Sequence, residues 1–333
     1  MKSLVAFEDG HLEIVESAGK AIAPDEVLVA PIATGVCGTD LEIIDVRIDP
    51  TFVKYPIVLG HEWCGRVVKV GSNVDSIEVG MRVVSEGIIP CGICFECVAG
   101  NTNRCITYDE VGFTRPGAAA EQIVVNARLV HVIADSVSIE SAVLVEPTAV
   151  VTQGILKAQP KKGDKVLVIG DGTIALIAAK VVRAWQPALV HMLGLKEGQA
   201  LLAKQAGVDL FMTTSPFEKY DLIIEASGSG SRISDAIRQL ERGGHLLLLG
   251  FTGPDVRTCI SIDDVVNGDL SILASFGYSR NAWELTVGFL NSGKLDLTFL
   301  VTHRFPLESY DEAVEALRHA PSPRGKIMFE IGK

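Results

Sequence analysis

The chain has 333 residues, with 41 Asp and Glu against 30 Lys and Arg, a net charge of −11. Such a surface excludes nucleic acid and anionic membrane as natural partners, because both repel it. Hydrophobic residues at 48% and charged residues at 21% describe a globular protein with a large core, long enough for two domains.

No apolar run reaches the roughly 18 residues needed to span a bilayer, so no membrane partner is expected. The first residues, Met1 to Asp9, turn acidic at once and carry no signal-peptide core, which makes the cytoplasm the expected location. Seven cysteines in that setting suggest metal or thiol chemistry before disulfides.

Residues 1 to about 150 read as β-rich. Short apolar runs at 26–30, 65–70, 82–84, 121–125 and 129–133 are cut by Gly, Pro and Asp. Within this half, Cys91, Cys94, Cys97 and Cys105 follow a C-x2-C-x2-C-x7-C spacing. Four thiolates so close match a closed tetrahedral zinc site, which has no open position for substrate and is therefore structural. An iron–sulfur cluster is the main rival, although Cys105 lacks the following Pro of the ferredoxin pattern.

From Glu140 the pattern changes. Residues 140–158 suit a helix that Pro147 kinks or divides. Lys165 to Ile169 is a continuous apolar strand, and Gly170-Asp171-Gly172-Thr173-Ile174-Ala175 is a G-x-G-x-x-A turn. An apolar helix from 174 to 185 and a strand at 188–193 complete one βαβ unit. Gly170 makes the tight turn, Gly172 lets the backbone approach a pyrophosphate, and Ala175 lets helix pack on strand. The helix N-terminus, at Thr173 and Ile174, supplies free N–H groups and a positive dipole end. A structural glycine turn is the competing reading. Helices at 197–205 and 232–240 then alternate with strands at 221–225, 245–249 and 270–275, which makes a doubly wound parallel sheet. A helix at 310–318 and a strand at 326–331 end the chain.

A second constellation is dispersed. Cys37 sits in Gly35-Val36-Cys37-Gly38-Thr39-Asp40, His61 and Glu62 follow Gly60, and Glu146 precedes Pro147. Singly, each has an ordinary explanation as a small buried thiol, a core histidine or a helix-surface acid. Together, in this order with the four cysteines and the nucleotide turn, they resemble the zinc-dependent medium-chain dehydrogenase/reductases, in the polyol, sugar and threonine branch. The resemblance covers both halves.

It implies a GroES-like β-barrel catalytic domain over 1–150 and 297–333, and a Rossmann nucleotide-binding domain over 151–296, with the active site in the cleft between. It implies two zinc ions per chain, a small alcohol or carbonyl substrate, and a homodimer or homotetramer. Residue by residue, Cys37 and His61 match ligands of the catalytic zinc. Glu62 matches an adjacent ligand or supporting position, and Glu146 the third protein ligand. Thr39 matches the hydroxyl that passes on the alcohol proton, and Glu42 replaces the histidine that ends the relay in many relatives. Arg115, in Gly112-Phe113-Thr114-Arg115-Pro116, is read as a solvated loop residue or a contact to polar substrate. Cys64 and Cys259 match no ligand position and are read as buried thiols. The expected activity is NAD(P)-dependent oxidation of a secondary alcohol of a polyol, sugar or cyclitol. The alternatives are a threonine or simple secondary-alcohol dehydrogenase, and a non-catalytic nucleotide-binding protein on the same fold.

The cofactor positions extend to Gly194, Leu195, Lys196 and Gly250. NAD-specific sites carry an acid at the end of the second strand for the ribose 2′-hydroxyl. Counting back from Ala206-Gly207 in the family manner puts Gly194 there. Gly194 leaves room for a 2′-phosphate and Lys196 offers it a charge, so NADP is expected over NAD. Lys196 as a solvated lysine, or Glu197 as a displaced ribose ligand, are the competing readings.

Overall fold

In the computed structural model, which describes residues 1–332, the chain divides into two compact units. One comprises Met1–Glu146, Ser279–Ala320 and the chain from Lys326 on. The other comprises Pro147–Tyr278 and Pro321–Gly325.

The first unit opens with β1 (Lys2–Ala6) and β2 (Leu12–Glu16), an antiparallel pair joined on the other edge of β1 by β4 (Ile57–Val58). β3 (Glu26–Val36) is the long strand on which the unit is built. It pairs with β5 (Glu62–Val70) along one edge, and along the other with β9 (Ile123–Asn126) and then β18 (Lys326–Glu330). Pro31 lies inside β3, where it cannot donate to the ladder; the β3–β5 register shifts between Pro31 and Ala33, which accommodates it. β6 (Arg82–Ser85), β10 (Val130–Val132) and β17 (Val301–Pro306) complete a seven-stranded sheet.

Shorter pieces carry the chemistry. They are α1 (Gly38–Ile44), the pair β7 (Ile88–Ile89) and β8 (Asp109–Glu110), and the single turn α2 (Phe95–Val98) between them. The core falls into two clusters, one around Val36, Ile43, Leu59 and Phe329, the other around Val27, Trp63, Val67 and Ile123. The unit regains the chain at Ser279, earlier than the boundary at 297 expected from the resemblance. The reason lies in α9 (Arg280–Asn291): the Asn291 amide accepts from the Ala134 N–H at 2.9 Å and donates to the Val132 carbonyl at 3.0 Å.

The expected helix over 140–158 forms as two, α3 (Ile139–Val143) and α4 (Val145–Ala158). The break falls at Leu144, before Pro147. Pro147 then sits in the first turn of α4, where its missing N–H would have no helical partner anyway.

The second unit is a six-stranded, all-parallel sheet in the order β13-β12-β11-β14-β15-β16. The strands are β11 (Lys165–Ile169), β12 (Leu189–Leu193), β13 (Leu210–Met212), β14 (Tyr220–Glu225), β15 (Leu240–Leu248) and β16 (Ser271–Ala274). Helices α5 (Thr173–Val182), α6 (Ala200–Gln205), α7 (Gly230–Arg238) and α8 (Ile262–Gly268) cross between them. Strand order reverses between β11 and β14, which is where such sheets bind nucleotides. Helix α10 (Tyr310–His319) leads back to β18 in the first unit. Among the described residues no helix is long and apolar enough to cross a membrane.

Candidate active site

Three adjacent strands assemble the first site. Gly35 of β3 stands opposite Glu62, the first residue of β5. On the other side of β3, Val36 pairs with Ile327, so Lys326 at the start of β18 lies alongside. The Lys326 ammonium reaches the Glu62 carboxylate at 2.7 and 2.6 Å and the Val36 carbonyl at 3.3 Å. Glu62 is 1% exposed and Lys326 4%. Burial alone would lower the lysine pKa; Glu62, Cys37 and Asp40 outweigh it and hold it above the ordinary value.

Cys37 follows β3 directly and caps α1. Its N–H donates to the Asp40 carboxylate at 2.8 Å, so the acid in the first helical turn fixes the cysteine backbone. His61 ends the connection into β5, with Nδ1 3.6 Å from Asp40 Oδ1. The Cys37 thiol, a His61 ring nitrogen and a Glu62 oxygen all lie within 4.8 Å of one another. Glu146 is outside that group but coupled to it electrostatically: desolvation and the charges of Glu62 and Glu110 push its carboxyl up to about 8, against the pull of His61 and Lys326.

These residues fit a divalent cation. Asp40 Oδ1 and His61 Nδ1 are buried without a hydrogen bond, a cost a folded protein seldom leaves unmet. Burial raises the Asp40 carboxyl, while burial of His61 is overcome by Asp40, Cys37 and Glu146, which hold its pKa well above the ordinary histidine value. A pocket that drives a proton onto its histidine and its acids is short of positive charge. Thiol, imidazole and carboxylate donors are those zinc takes.

Thr39 and Glu42 both lie on α1, one turn apart. The Thr39 hydroxyl is 3.6 Å from Cys37 Sγ; the Glu42 side chain is exposed. The Phe113 ring is 5.2 Å from that of His61. Arg115 forms a bridge to Asp109, at 2.9 Å from Nε and 2.8 Å from a terminal nitrogen, so it is committed within its own loop.

The four cysteines gather on the α2 lobe, each offering its sulfur within 4.8 Å of the others. Backbone N–H groups of Cys91 and Cys94 already point at sulfurs, at 3.3 Å to Cys105 and 3.4 Å to Cys91. Backbone donors at Ile93 and Cys94 lower Cys91 to about 6, while desolvation pushes Cys97 up to about 12. Cys64 is buried as expected, its thiol pushed up to about 12 by burial. Cys259 is not: it is exposed, because it falls in the loop between β15 and α8 rather than in an element.

In the second unit the glycine turn joins β11 to α5. Gly170 has φ +119°, a conformation open chiefly to glycine, and Gly172 caps the helix whose first residues are Thr173 and Ile174. The turn has a feature the motif does not announce. The Asp171 carboxylate accepts from the N–H groups of Leu195 and Lys196 at 2.8 and 3.0 Å, tying the loop after β12 to the glycine turn. The Lys196 side chain is exposed. Gly194 does not leave an open space, contrary to expectation: a Cβ there would come within 2.6 Å of the Phe211 ring and 2.9 Å of Asp171 Cβ. Glycine is needed because that space is filled. Gly250 likewise is a close approach of two turns, where a Cβ would strike the Gly228 backbone and come 2.8 Å from Glu225 Oε2.

A profile of the alcohol dehydrogenase GroES-like domain matches residues 23–135, and one of the glucose dehydrogenase C-terminus matches residues 139–320. The chain belongs to the zinc-dependent medium-chain dehydrogenase/reductases. It is an NAD(P)-dependent dehydrogenase acting on alcohol groups. It is 31% identical over 345 residues to an L-threonine 3-dehydrogenase of Legionella pneumophila, covering 99% of both chains. It is 32% identical over 350 residues to an L-arabinitol 4-dehydrogenase of Aureobasidium melanogenum, covering 98% of this chain and 92% of the relative. The solved galactitol-1-phosphate dehydrogenase of Escherichia coli superposes with TM-score 0.88 at 29% identity, covering 99% of this chain and all of that one.

Asp40 and Lys326 of this dehydrogenase escape a reading by motif. Each leaves a faint trace: an acid three residues after Cys37 at a helix start, and a lysine heading the apolar run Ile327-Met328-Phe329. Lys326→Met strands Glu62 as a buried charge and is expected to cost about 3–5 kcal/mol. Thermal unfolding should show a lower midpoint, recovered in large part by Lys326→Arg. A Lys326→Met protein that melts like wild type would mean the pair anchors nothing.

Proposed function

We propose that the enzyme moves hydride between NAD(P) and a secondary hydroxyl of a polyol, sugar or cyclitol, with one catalytic and one structural zinc per chain. The observation that carries this reading is the acidic character of the first site. Glu146 takes the third ligand position beside Cys37 and His61, since Glu62 is already bound by Lys326 through both oxygens. Zinc in that position would act as a Lewis acid toward an alcohol oxygen. Thr39, next to Cys37, accepts the alcohol proton, and Glu42 one turn along α1 is its exposed next acceptor. Asp40 stands beside His61, and Glu62 keeps Lys326 beside the ligands. Cys91, Cys94, Cys97 and Cys105 close the structural site, which has no position for substrate.

The threonine reading is favoured by the Legionella relative. Threonine brings a carboxylate, however, and both Arg115 and Lys326 are already paired, with Asp109 and Glu62. A neutral polyhydroxylated substrate asks for no such cation. The intact ligand set speaks against a non-catalytic role. Initial rates with D-sorbitol, xylitol, myo-inositol, L-threonine and 2-butanol separate these readings. The polyols or the cyclitol should give the highest kcat/KM. A panel led by 2-butanol or L-threonine would overturn the proposal.

For the cofactor, we propose NADP over NAD. Support comes from Lys196, whose exposed side chain is positioned through its own N–H to Asp171. The rival ribose ligand Glu197 accepts from the Thr213 hydroxyl at 2.9 Å instead. A homodimer or homotetramer is proposed too. β16 is an edge strand, and Ile262, Val266 and Phe276 near it are exposed, so a second copy of the chain is a fitting cover. Calorimetric Kd values for NADP+ and NAD+ test the cofactor reading. Lys196→Ala should weaken NADP+ by about 10-fold and leave NAD+ alone. Equal affinities in wild type, unmoved by the substitution, contradict it.

A further inference from the structure

The loop over Asp109 to Pro116 is fixed at nearly every polar group except one. Glu110 pairs with Ile88 in the β7–β8 ladder. Its N–H donates to the Thr114 hydroxyl at 2.8 Å, and its carbonyl accepts from Phe113, Thr114 and Arg115 at 3.2, 3.0 and 2.9 Å. The neighbouring Asp109 carboxylate is satisfied as well, by the Thr114 hydroxyl at 2.9 Å and by Arg115. The Glu110 carboxylate, half-buried and still in contact with solvent, has no hydrogen-bond or ion-pair partner among the described residues.

The same loop lies against the metal-binding residues. A Cβ on Gly112 would sit 3.4 Å from the Cβ and backbone nitrogen of His61, and the Phe113 ring faces the His61 ring. His61 and Glu146 both sense the Glu110 charge, and desolvation lifts the Glu110 carboxyl above the ordinary value.

An acid that served the fold would be paired, as Asp109 is. Glu110 stands outside the group of Cys37, His61 and Glu62 and matches no ligand position of the family pattern. A carboxylate that loses part of its water without gaining a donor raises the energy of the free protein, and a ligand that brings the donor recovers that part. We propose that Glu110 is a specificity-determining residue that accepts a hydrogen bond from a second hydroxyl of the substrate, next to the carbon being oxidised. The inference rests on the polyol reading above and deepens it. A monohydric alcohol has no such hydroxyl and leaves the carboxylate unsatisfied, so the site selects for polyhydroxylated substrates.

The experiment is steady-state kinetics of wild type, Glu110→Gln and Glu110→Leu on D-sorbitol, xylitol, myo-inositol and 2-butanol, with zinc content and melting temperature measured on each protein. In Glu110→Leu, kcat/KM for the best polyol or cyclitol should fall about 10- to 100-fold, mostly through KM, while 2-butanol stays within about twofold. Glu110→Gln, which keeps an acceptor, should recover part of the loss, with zinc content unchanged. Equal losses on polyol and 2-butanol, no loss on either, or loss of zinc from Glu110→Gln would each overturn the inference while leaving the polyol reading intact. A wild type that prefers 2-butanol removes the polyol reading, and this inference with it.

Discussion

Charge balance in a dry place governs the first unit. Cys37, Asp40, Glu62 and Glu146 bring acidic groups together, and the protein's own cations there are Lys326 and His61. The Lys326–Glu62 pair matches one acid with a cation and depends on strand register: β5, β3 and β18 must align so that Glu62 and Lys326 flank the end of β3. Since β18 is the last strand, the site is complete only when the far end of the chain has closed onto the sheet. Removing either partner would bury an unmatched charge, which is costlier than never having had the pair. What Lys326 leaves unbalanced is a surplus of the kind a metal ion would meet.

The same logic recurs in the nucleotide-binding unit with backbone N–H groups as the positive partners. Asp171 rests on the amides of Leu195 and Lys196 and so joins the glycine turn to the loop after β12. Gln199 reinforces the joint from the other side, donating to the Asp171 carbonyl at 2.7 Å and to that of Arg324 at 2.9 Å. A cofactor arriving at this sheet meets a loop already fixed in place, which lowers the ordering cost of binding.

Much of this was legible in the residues. The strands at 165–169 and 221–225 are continuous apolar runs, and parallel strands buried on both faces read that way. The four cysteines declare themselves by spacing, and Cys37, His61 and Glu146 by company and order. The failures share a cause. The residues suggest empty space at Gly194 because a sequence does not say that the Phe211 ring, 17 residues on, fills it. Cys259 reads as buried because composition favours buried thiols, whereas its loop placement exposes it. The roles of Lys326 and Asp40 leave little trace in the sequence, because their partners are distant in the chain or act through the backbone. Glu110 leaves no trace, because its interest lies in what it does not bond. Local pattern reports the elements; pairings across a sheet and unmet valences require coordinates.

The acidic cluster around Cys37 and His61 is expected to be a metal site and not a strained accident. Anomalous diffraction from crystals of the purified protein, on either side of the zinc absorption edge, tests it directly. Two zinc peaks per chain are predicted, one bounded by Cys37, His61 and Glu146 and one inside Cys91, Cys94, Cys97 and Cys105. A peak at the four cysteines with none between Cys37, His61 and Glu146, in protein that turns over substrate, would contradict the account.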